Sequence, residues 1–358
     1  MAAVLNLPPT VRVVGEEGEI GRRAGPTDII QPVTTADEAT KPTDTKAVPG
    51  TRLPPAAGLL RSLLFSPGQR QNMVDKALVT DADAVILDFE DGVPPAEKDA
   101  ARERVSAALR RPVDGPGPIR LVRVNPAATG RLEGDLEAIV GSGLDAVLLP
   151  KVEHPDGIRS LARGLDDLEP KAGLPPGRVA IVVAIESARG IHAAVDILTA
   201  SERIIPVMFG AEDLALDLGL SVRRSGAGQE MLYARSAVVT AAAIARVQPL
   251  DQVWLDFRDL DGLRANAIAG RDLGFAGKCL IHPAQIAIVN EVFSPSPEDV
   301  ELARRVVAAF EEAKAAGIGA VMLGGQLVEL PIVERAALTL RAHAAISARR
   351  AEIAVASR

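Results

Sequence analysis

From residue 61 onward, short apolar runs alternate with longer stretches in which apolar residues recur at helical spacing. Short apolar runs predict buried strands, and apolar residues three and four positions apart predict helices that cover them. The predicted strands are Ser62–Ser66, Ala84–Phe89, Arg120–Asn125, Ala146–Lys151, Val179–Glu186, Ile204–Phe209, Gln252–Phe257 and Lys278–His282. The helical stretches between them include Glu97–Leu109, Leu132–Val140, Ile191–Leu198 and Leu260–Arg271.

Eight apolar strands separated by helices predict an α/β fold, a parallel (β/α)8 TIM barrel. A doubly wound sheet is the competing architecture. Such a sheet seldom contains eight regular units without a Gly-rich phosphate turn, and the chain has neither a G-x-G-x-x-G motif nor a Walker loop. The barrel is therefore the preferred interpretation.

The pattern changes on both sides of this region. Residues 1–57 are rich in Pro, Thr, Gly and Asp, which predicts a flexible or loosely docked N-terminal extension of low complexity. The barrel is expected over 58–295, and a C-terminal helix with a lid segment over 296–358. This last part contains a helix at about Pro297–Ala315, a Gly-rich hinge and a final helix that begins near Pro331. It is either a lid or subunit-swapped arm, or a helix packed on its own barrel. The glycines of the hinge are Gly317, Gly319, Gly324 and Gly325.

The composition and net charge of the chain argue against several classes of function. Apolar residues make up 47% of the 358 residues, so a large core can be buried, and the net charge of −7 argues against a nucleic-acid partner. The single cysteine, Cys279, excludes an intramolecular disulfide and fits a reducing cytosol. No apolar run is long enough for a membrane span. We therefore expect a cytoplasmic protein that does not bind membranes.

Two carboxylates follow neighbouring predicted strands. Glu186 ends the fifth strand, and Asp213 comes shortly after the sixth. Because the carboxyl ends of parallel strands meet at one rim of a barrel, these two acids are expected to lie together and to hold Mg²⁺. Arg123, at the end of the third strand, is the best candidate to clamp a substrate carboxylate bidentately.

Other catalytic chemistries are disfavoured. The chain has four histidines, of which His282 alone lies at a predicted strand end, so a zinc site with several His ligands is improbable. It has no G-x-S-x-G elbow, and Cys279 lies inside an apolar strand, where an inert thiol is expected.

Several motifs in this order resemble the citrate lyase β-subunit-like family of the HpcH/HpaI aldolase superfamily. The resemblance covers about residues 60–345, and its longest match is to the citramalyl-CoA and malyl-CoA lyases. The matching segments include Leu64–Gly68, Val85–Val93, Val122–Asn125, Leu149–Glu153, Gly210–Asp213, Leu255–Asp259, Gly274–Lys278, Ile281–Pro283 and Phe293–Pro297.

The resemblance implies Mg²⁺, a CoA thioester and a small 2-oxo acid as ligands, with reversible Claisen-type chemistry. It assigns the metal to Glu186 and Asp213, and the acid end of the substrate to Arg123. It places CoA against Phe65, Lys76 and the backbone at Cys279 and Leu280. It also implies a homotrimer or a dimer of trimers, in which the C-terminal arm of one subunit covers a neighbour's active site.

One position departs from the family. The family's lid carries a catalytic Asp in a Met-Ile-Asp-x-Pro segment, and the matching stretch here is Leu327-Val328-Glu329-Leu330-Pro331. Glu329 keeps the acid but adds a methylene, and a misplacement of about 1 Å can cost about a hundredfold in rate. Glu329 is therefore either a working acid/base or a weakened one.

The resulting function is a carbon–carbon lyase that cleaves citramalyl-CoA, or in second place malyl-CoA, to a 2-oxo acid and acetyl-CoA. One alternative is a malate or citramalate synthase-type thioester hydrolase. Another is a non-catalytic CoA-ester-binding protein. A β-subunit of a multi-subunit citrate lyase is less favoured, because the long C-terminal arm fits stand-alone lyases better.

Overall fold

The computed structural model describes residues 60–111, 117–141, 143–221, 228–317 and 319–356. Eight parallel strands form a closed barrel, in which β8 pairs with β1. The strands are β1 (Ser62–Pro67), β2 (Ala84–Asp88), β3 (Ile119–Arg123), β4 (Ala146–Leu149), β5 (Ala180–Ile185), β6 (Ile204–Phe209), β7 (Gln248–Asp251) and β8 (Gly277–Leu280). The predicted barrel is confirmed, whereas the predicted extension over 1–57 lies outside the described residues.

Helices surround the barrel and connect its strands. The helices up to the last barrel strand are α1 (Gln71–Ala77), α2 (Lys98–Leu109), α3 (Leu132–Ile139), α4 (Pro155–Lys171), α5 (Ala188–His192), α6 (Ala194–Leu198), α7 (Ala211–Asp217), α8 (Leu232–Ala245) and α9 (Leu260–Leu273). The stretch predicted as one helix over Ile191–Leu198 is thus divided into α5 and α6, with Ala193 between them.

The side chains of each strand alternate between two apolar cores. In β2, Ile86 points into the barrel interior, whereas Val85 and Leu87 pack against the outer helices. Aliphatic side chains fill both cores, as expected for a chain with 3% aromatic residues. Period-two alternation in strands buried on both faces produces the continuous apolar runs seen in the sequence.

The seventh strand was predicted in the wrong place. The structure has β7 at Gln248–Asp251, and residues 252–257 form the following loop, in which Leu255 and Phe257 are exposed. The sequence pattern does not reveal this strand, because it contains Pro249 and a fully buried Asp251 instead of an apolar run. The carboxylate of Asp251 is compensated by Arg235 and by Lys278, at 2.9 and 3.0 Å.

The C-terminal part packs against the amino end of the barrel. After α10 (Ile286–Val292), α11 (Pro297–Ala315) packs along α12 (Leu330–Ala356). The Gly-rich segment between them forms a hairpin of β9 (Val321–Leu323) and β10 (Gln326–Val328). Gly324 and Gly325 make its turn with φ of 60° and 83°, values that favour glycine.

The last helix contacts its own barrel through Arg349. The guanidinium of Arg349 donates to the carbonyls of Ala82 and Asp83, at 3.4 and 3.1 Å. Both carbonyls precede β2, so α12 lies at the amino end of the strands. None of the described helices combines the length and apolar composition that a membrane crossing requires.

Candidate active site

A cavity of about 850 Å³ lies over the carboxyl ends of the strands. Its walls come from the segments that follow β2, β3, β4, β5 and β6. Glu186 and Asp213 both line it, together with Glu90, Asp91 and Lys151. This rim is where catalytic groups lie in barrels of this kind.

Glu186 follows β5 directly and is 4% exposed. Its Oε1 accepts the backbone N–H of Lys151 at 2.6 Å. Burial, together with the negative charge of Asp213, raises the pKa of Glu186 to about 7. Glu186 and Asp213 line the same cavity, so the structure brings the two predicted metal ligands together.

Gly210 makes room for Glu186. A Cβ atom at this position would lie 2.4 Å from Oε2 of Glu186 and 2.5 Å from its Cβ. Gly210 precedes α7, and Asp213 stands in the first turn of that helix. The chain therefore passes close enough to Glu186 to set Asp213 beside it.

This donor set fits Mg²⁺. The ion prefers oxygen ligands, keeps several waters and is usually held by one or two carboxylates. Glu186 is buried and Asp213 is half-buried, with 34% of its side chain exposed, so one ligand is fixed and the other faces the cavity. The described residues contain no cluster of three or more Asp, Glu, His or Cys side chains arranged for a metal.

Arg123 ends β3 and is held by two acids from the end of β2. Its Nε and Nη2 donate to the two oxygens of Asp88 at 2.6 and 2.8 Å, and its Nη1 lies 3.2 Å from Glu90. Burial alone would lower the pKa of Arg123, but these bonds and the charge of Glu186 raise it. The guanidinium also stacks over Phe65, 5.0 Å from the ring centre.

Asp88 is a buried anchor whose role the sequence did not reveal. Besides the fork of Arg123, its carboxylate accepts the backbone N–H groups of Glu90 and Gly92, each at 2.9 Å. Both oxygens are thus used within the protein. Asp88 fixes the guanidinium and is not itself available to a substrate.

Lys151 is the second residue that sequence reasoning missed. Its ammonium lies 2.5 Å from Glu90, 3.2 Å from Asp91 and 3.8 Å from Asp213. Burial raises the pKa of the Glu90 carboxyl, despite the opposing effects of Arg123 and Lys151. The sequence placed Lys151 at a strand end and inside the matching segment Leu149–Glu153, but neither signal indicated its contacts with these acids.

The residues expected to contact CoA are distributed around β1 and β8. Phe65 is half-buried on β1, and Lys76 is exposed on α1. Cys279 and Leu280 are fully buried in β8, and burial raises the pKa of the Cys279 thiol to about 12. Burial and a raised pKa agree with the inert thiol that the sequence predicts, and the CoA contacts remain predictions.

Glu329 is not brought to this rim by its own chain. It is exposed, and its carbonyl accepts the N–H groups of Ile332 and Val333 at the start of α12. The described residues that line the cavity belong to the region between Glu90 and Asp217. A second cavity, of about 810 Å³, lies among α11, α12 and the segment before β8, with Ile332 in its wall.

Known proteins resemble this chain over most of its length. The sequence profile of the HpcH/HpaI aldolase/citrate lyase family matches residues 61–283. Citrate lyase subunit beta of Leuconostoc mesenteroides subsp. cremoris is 39% identical over 278 residues, which cover 78% of this chain and 91% of that protein. A (3S)-malyl-CoA thioesterase of Cereibacter sphaeroides is 39% identical over 297 residues, which cover 81% and 97%.

Solved structures show the same architecture. Protein CitE from Mycobacterium tuberculosis, in complex with magnesium, acetoacetate and coenzyme A, aligns with a TM-score of 0.64 and 34% identity, covering 81% of this chain and 99% of that one. The citrate lyase beta subunit from M. tuberculosis complexed with oxaloacetate and magnesium aligns with a TM-score of 0.56 and 34% identity, covering 67% and 98%.

Proposed function

This chain belongs to the HpcH/HpaI aldolase/citrate lyase family, and from that premise we propose that it is a Mg²⁺-dependent acyl-CoA lyase. The reaction is the reversible cleavage of a 3-hydroxyacyl-CoA to a 2-oxo acid and acetyl-CoA. Citramalyl-CoA is the preferred substrate and malyl-CoA the second. The observation that carries the proposal is the placement of Glu186 and Asp213 in the wall of one cavity, with Arg123 held against Glu90 of the same wall.

Glu186 and Asp213 would hold the metal. When bound there, Mg²⁺ supplies Lewis-acid stabilisation of the negative charge that develops on substrate oxygens. The magnesium in the related CitE structures supports this assignment. The fixed position of Glu186 against Gly210 and the N–H of Lys151 means that little reorganisation is needed when the ion binds.

Arg123 binds the carboxylate of the 2-oxo acid. Asp88 takes Nε and Nη2 of the guanidinium, so a ligand carboxylate would meet Nη1, which lies 3.2 Å from Glu90 and would be shared with it. In cleavage, a base removes the proton of the 3-hydroxyl, and the bond between the carbinol carbon and the carbon next to the thioester carbonyl breaks as the alkoxide becomes the carbonyl of the 2-oxo acid. The electron pair passes to the acetyl-CoA enolate, which then takes a proton to give acetyl-CoA.

CoA extends from this rim toward β1 and β8. Phe65 offers an aromatic face, Lys76 an exposed ammonium for phosphate, and the backbone at Cys279 and Leu280 a further contact. The coenzyme A in the related CitE complex supports a CoA ligand. We assign the barrel to 58–295 and the lid-bearing part to 296–358.

Glu329 serves as the acid/base of a neighbouring subunit. The start of its helix shares a cavity with Phe275 and Ala276, which precede β8, so it lies toward the amino end of its own barrel and away from the rim that holds Glu186. An acid there can reach an active site of this kind only on another copy of the chain. This supports a homotrimer or a dimer of trimers in which arms are exchanged.

Product analysis tests the lyase assignment. Purified protein with Mg²⁺ and citramalyl-CoA is expected to release pyruvate and acetyl-CoA, identified by mass, and malyl-CoA should release glyoxylate and acetyl-CoA. Glu186→Gln and Asp213→Asn should each abolish the turnover. Absence of turnover with both thioesters would contradict the lyase assignment, and activity that survives both substitutions would contradict the metal assignment.

A thioester hydrolase is the second candidate, favoured by the 39% identity to a (3S)-malyl-CoA thioesterase over 97% of that protein. Incubation of acetyl-CoA with glyoxylate or pyruvate separates the two activities. A lyase forms the acyl-CoA and releases no free thiol, whereas a synthase-type hydrolase releases CoA as malate or citramalate accumulates.

A further inference from the structure

Lys151 has an unusual backbone for its residue type. Its φ is +54°, in the left-handed region that side chains other than glycine rarely adopt. Among the described residues, one other non-glycine position has a positive φ, Arg246, which is the C-cap of α8. A helix end accounts for Arg246, whereas Lys151 follows β4 and enters the rim of the candidate active site. Backbone strain of this kind concentrates at functional sites.

With this left-handed backbone, both the main-chain N–H and the side-chain ammonium of Lys151 face acids. Its backbone N–H donates to Oε1 of Glu186 at 2.6 Å. Its ammonium donates to Glu90 at 2.5 Å and to Asp91 at 3.2 Å, and lies 3.8 Å from Oδ1 of Asp213. One residue therefore contacts four of the carboxylates on this rim, through the main chain on one side and the side chain on the other.

Acidic side chains outnumber basic ones in the wall of this cavity, and the second lysine there, Lys98, donates to the carbonyls of Phe89 and Glu90. Glu90, Asp91, Glu186 and Asp213 bring four acids to one cavity wall. Arg123 is engaged mainly with Asp88. Lys151 has 39% of its side chain exposed and lies 3.8 Å from Asp213, so its ammonium has room to turn away from Asp213 while it stays bonded to Glu90.

We propose that Lys151 is the internal counter-ion and positioning residue of the acidic rim. Its backbone fixes Glu186, and its ammonium retains Glu90 and Asp91, so that Glu186 and Asp213 are left to share one divalent cation. Before that cation binds, the ammonium offsets the charge of Asp213. This inference rests on the proposed metal role of Glu186 and Asp213.

Calorimetric titration of the full chain with Mg²⁺ tests the counter-ion role without an activity assay. Lys151→Met removes the charge and keeps the length of the side chain, and Lys171→Met, at the exposed end of α4, is the matched control. Because a unit positive charge is removed about 4 Å from a ligand oxygen, Mg²⁺ should bind roughly fivefold more tightly at low ionic strength. The gain should shrink as salt is added, and Lys171→Met should match the wild type.

Thermal unfolding gives a second readout. Lys151→Met should unfold at a lower temperature than the wild type without Mg²⁺, because the acids repel one another, and should gain more from added Mg²⁺. Lys151→Gly should unfold at a higher temperature than Lys151→Ala, since glycine adopts a φ of +54° without strain. An alanine variant as stable as the glycine variant would overturn the positioning role.

The outcomes separate this inference from the proposed function. If the wild type binds Mg²⁺, Glu186→Gln loses it and Lys151→Met binds it with unchanged or lower affinity, the counter-ion role is wrong and the metal site stands. If the wild type binds no Mg²⁺, or Glu186→Gln binds it as well as the wild type, the metal assignment itself fails.

Discussion

Gly210 lies so close to Glu186 that a Cβ atom on the glycine would approach Oε2 of the glutamate to 2.4 Å. Gly210→Ala should therefore displace Glu186 from its place beside Asp213. Because one of two protein ligands is moved, we expect Mg²⁺ affinity to fall about tenfold or more. Calorimetric titration measures the change.

A matched substitution controls for the added methyl group. Gly164 lies within α4, where a Cβ would meet Leu136 at 3.4 Å, an ordinary contact distance. Gly164→Ala should leave Mg²⁺ binding unchanged and should not destabilise the helix. Equal Mg²⁺ affinity in the Gly210 and Gly164 variants would show that the close approach of Gly210 has no bearing on the metal.

The paired bonds between Arg123 and Asp88 predict that a substitution of Arg123 lowers kcat/KM without weakening Mg²⁺ binding. Arg123→Lys keeps the charge beside Glu186 but loses the planar pair of bonds with Asp88. We expect kcat/KM to fall by about a hundredfold, because a lysine cannot keep the pair of bonds with Asp88 while it also offers a fixed donor to the substrate carboxylate. Mg²⁺ affinity, measured without substrate, should change little.

Asp88→Asn tests whether Arg123 acts through its anchor. The asparagine keeps an acceptor for one backbone N–H but weakens the hold on the guanidinium, so kcat/KM should fall by a similar factor. In the double variant the two losses should not add, since both remove the same positioned group. Fully additive losses would mean that Asp88 and Arg123 contribute independently.

The sequence predicted the barrel because aliphatic strands buried on both faces leave continuous apolar runs, as in Ala180–Ile185. The same rule failed for β7, where Asp251 is buried with Arg235 and Lys278 as partners. Side chains that meet from distant parts of the chain compensate that charge. The local sequence pattern around β7 therefore does not show that Asp251 has these partners.

In the candidate site, too, some features could be predicted from the sequence and others could not. Glu186 and Asp213 could be predicted because strand ends and their order are local features. The fixed fork of Arg123 and the left-handed backbone of Lys151 could not, since each depends on acids from other strands. The location of Glu329 at the far end of its own barrel is likewise a property of packing.

A buried ion pair away from the cavity predicts how stability depends on pH. Glu169 is fully buried and accepts bonds from Arg203 at 2.8 Å and from the N–H of Val179 at 2.6 Å. Burial alone would raise the pKa of Glu169, but these bonds lower it below the ordinary value of 4.5. Its stabilising contribution is therefore present above pH 4.5 and is lost as the pH falls through the lowered pKa.

Glu169→Gln should reveal this contribution in urea unfolding. At pH 7 the variant should lose roughly 2 kcal/mol, because the buried guanidinium of Arg203 keeps only the exposed carboxylate of Asp166 as an ionic partner. The difference from the wild type should narrow as the pH is lowered below 4.5. Glu291→Gln, in an exposed pair with Arg264, is the control and should change the unfolding free energy little. A Glu169→Gln deficit that stays constant with pH would contradict the assigned pKa shift.

The position of Glu329 predicts complementation between inactive subunits. Glu186→Gln lacks a metal ligand and keeps its lid acid, whereas Glu329→Gln keeps the rim and lacks the lid acid. Each variant alone should be nearly inactive. When the two are unfolded together and refolded as mixed oligomers, about a quarter of the sites should combine an intact rim with a neighbour's intact lid. Activity should recover to that fraction of the wild-type value.

Mixing without refolding is the control and should restore activity only as fast as subunits exchange. Failure to recover activity in oligomers proven to be mixed would mean that Glu329 does not act on a neighbour's rim.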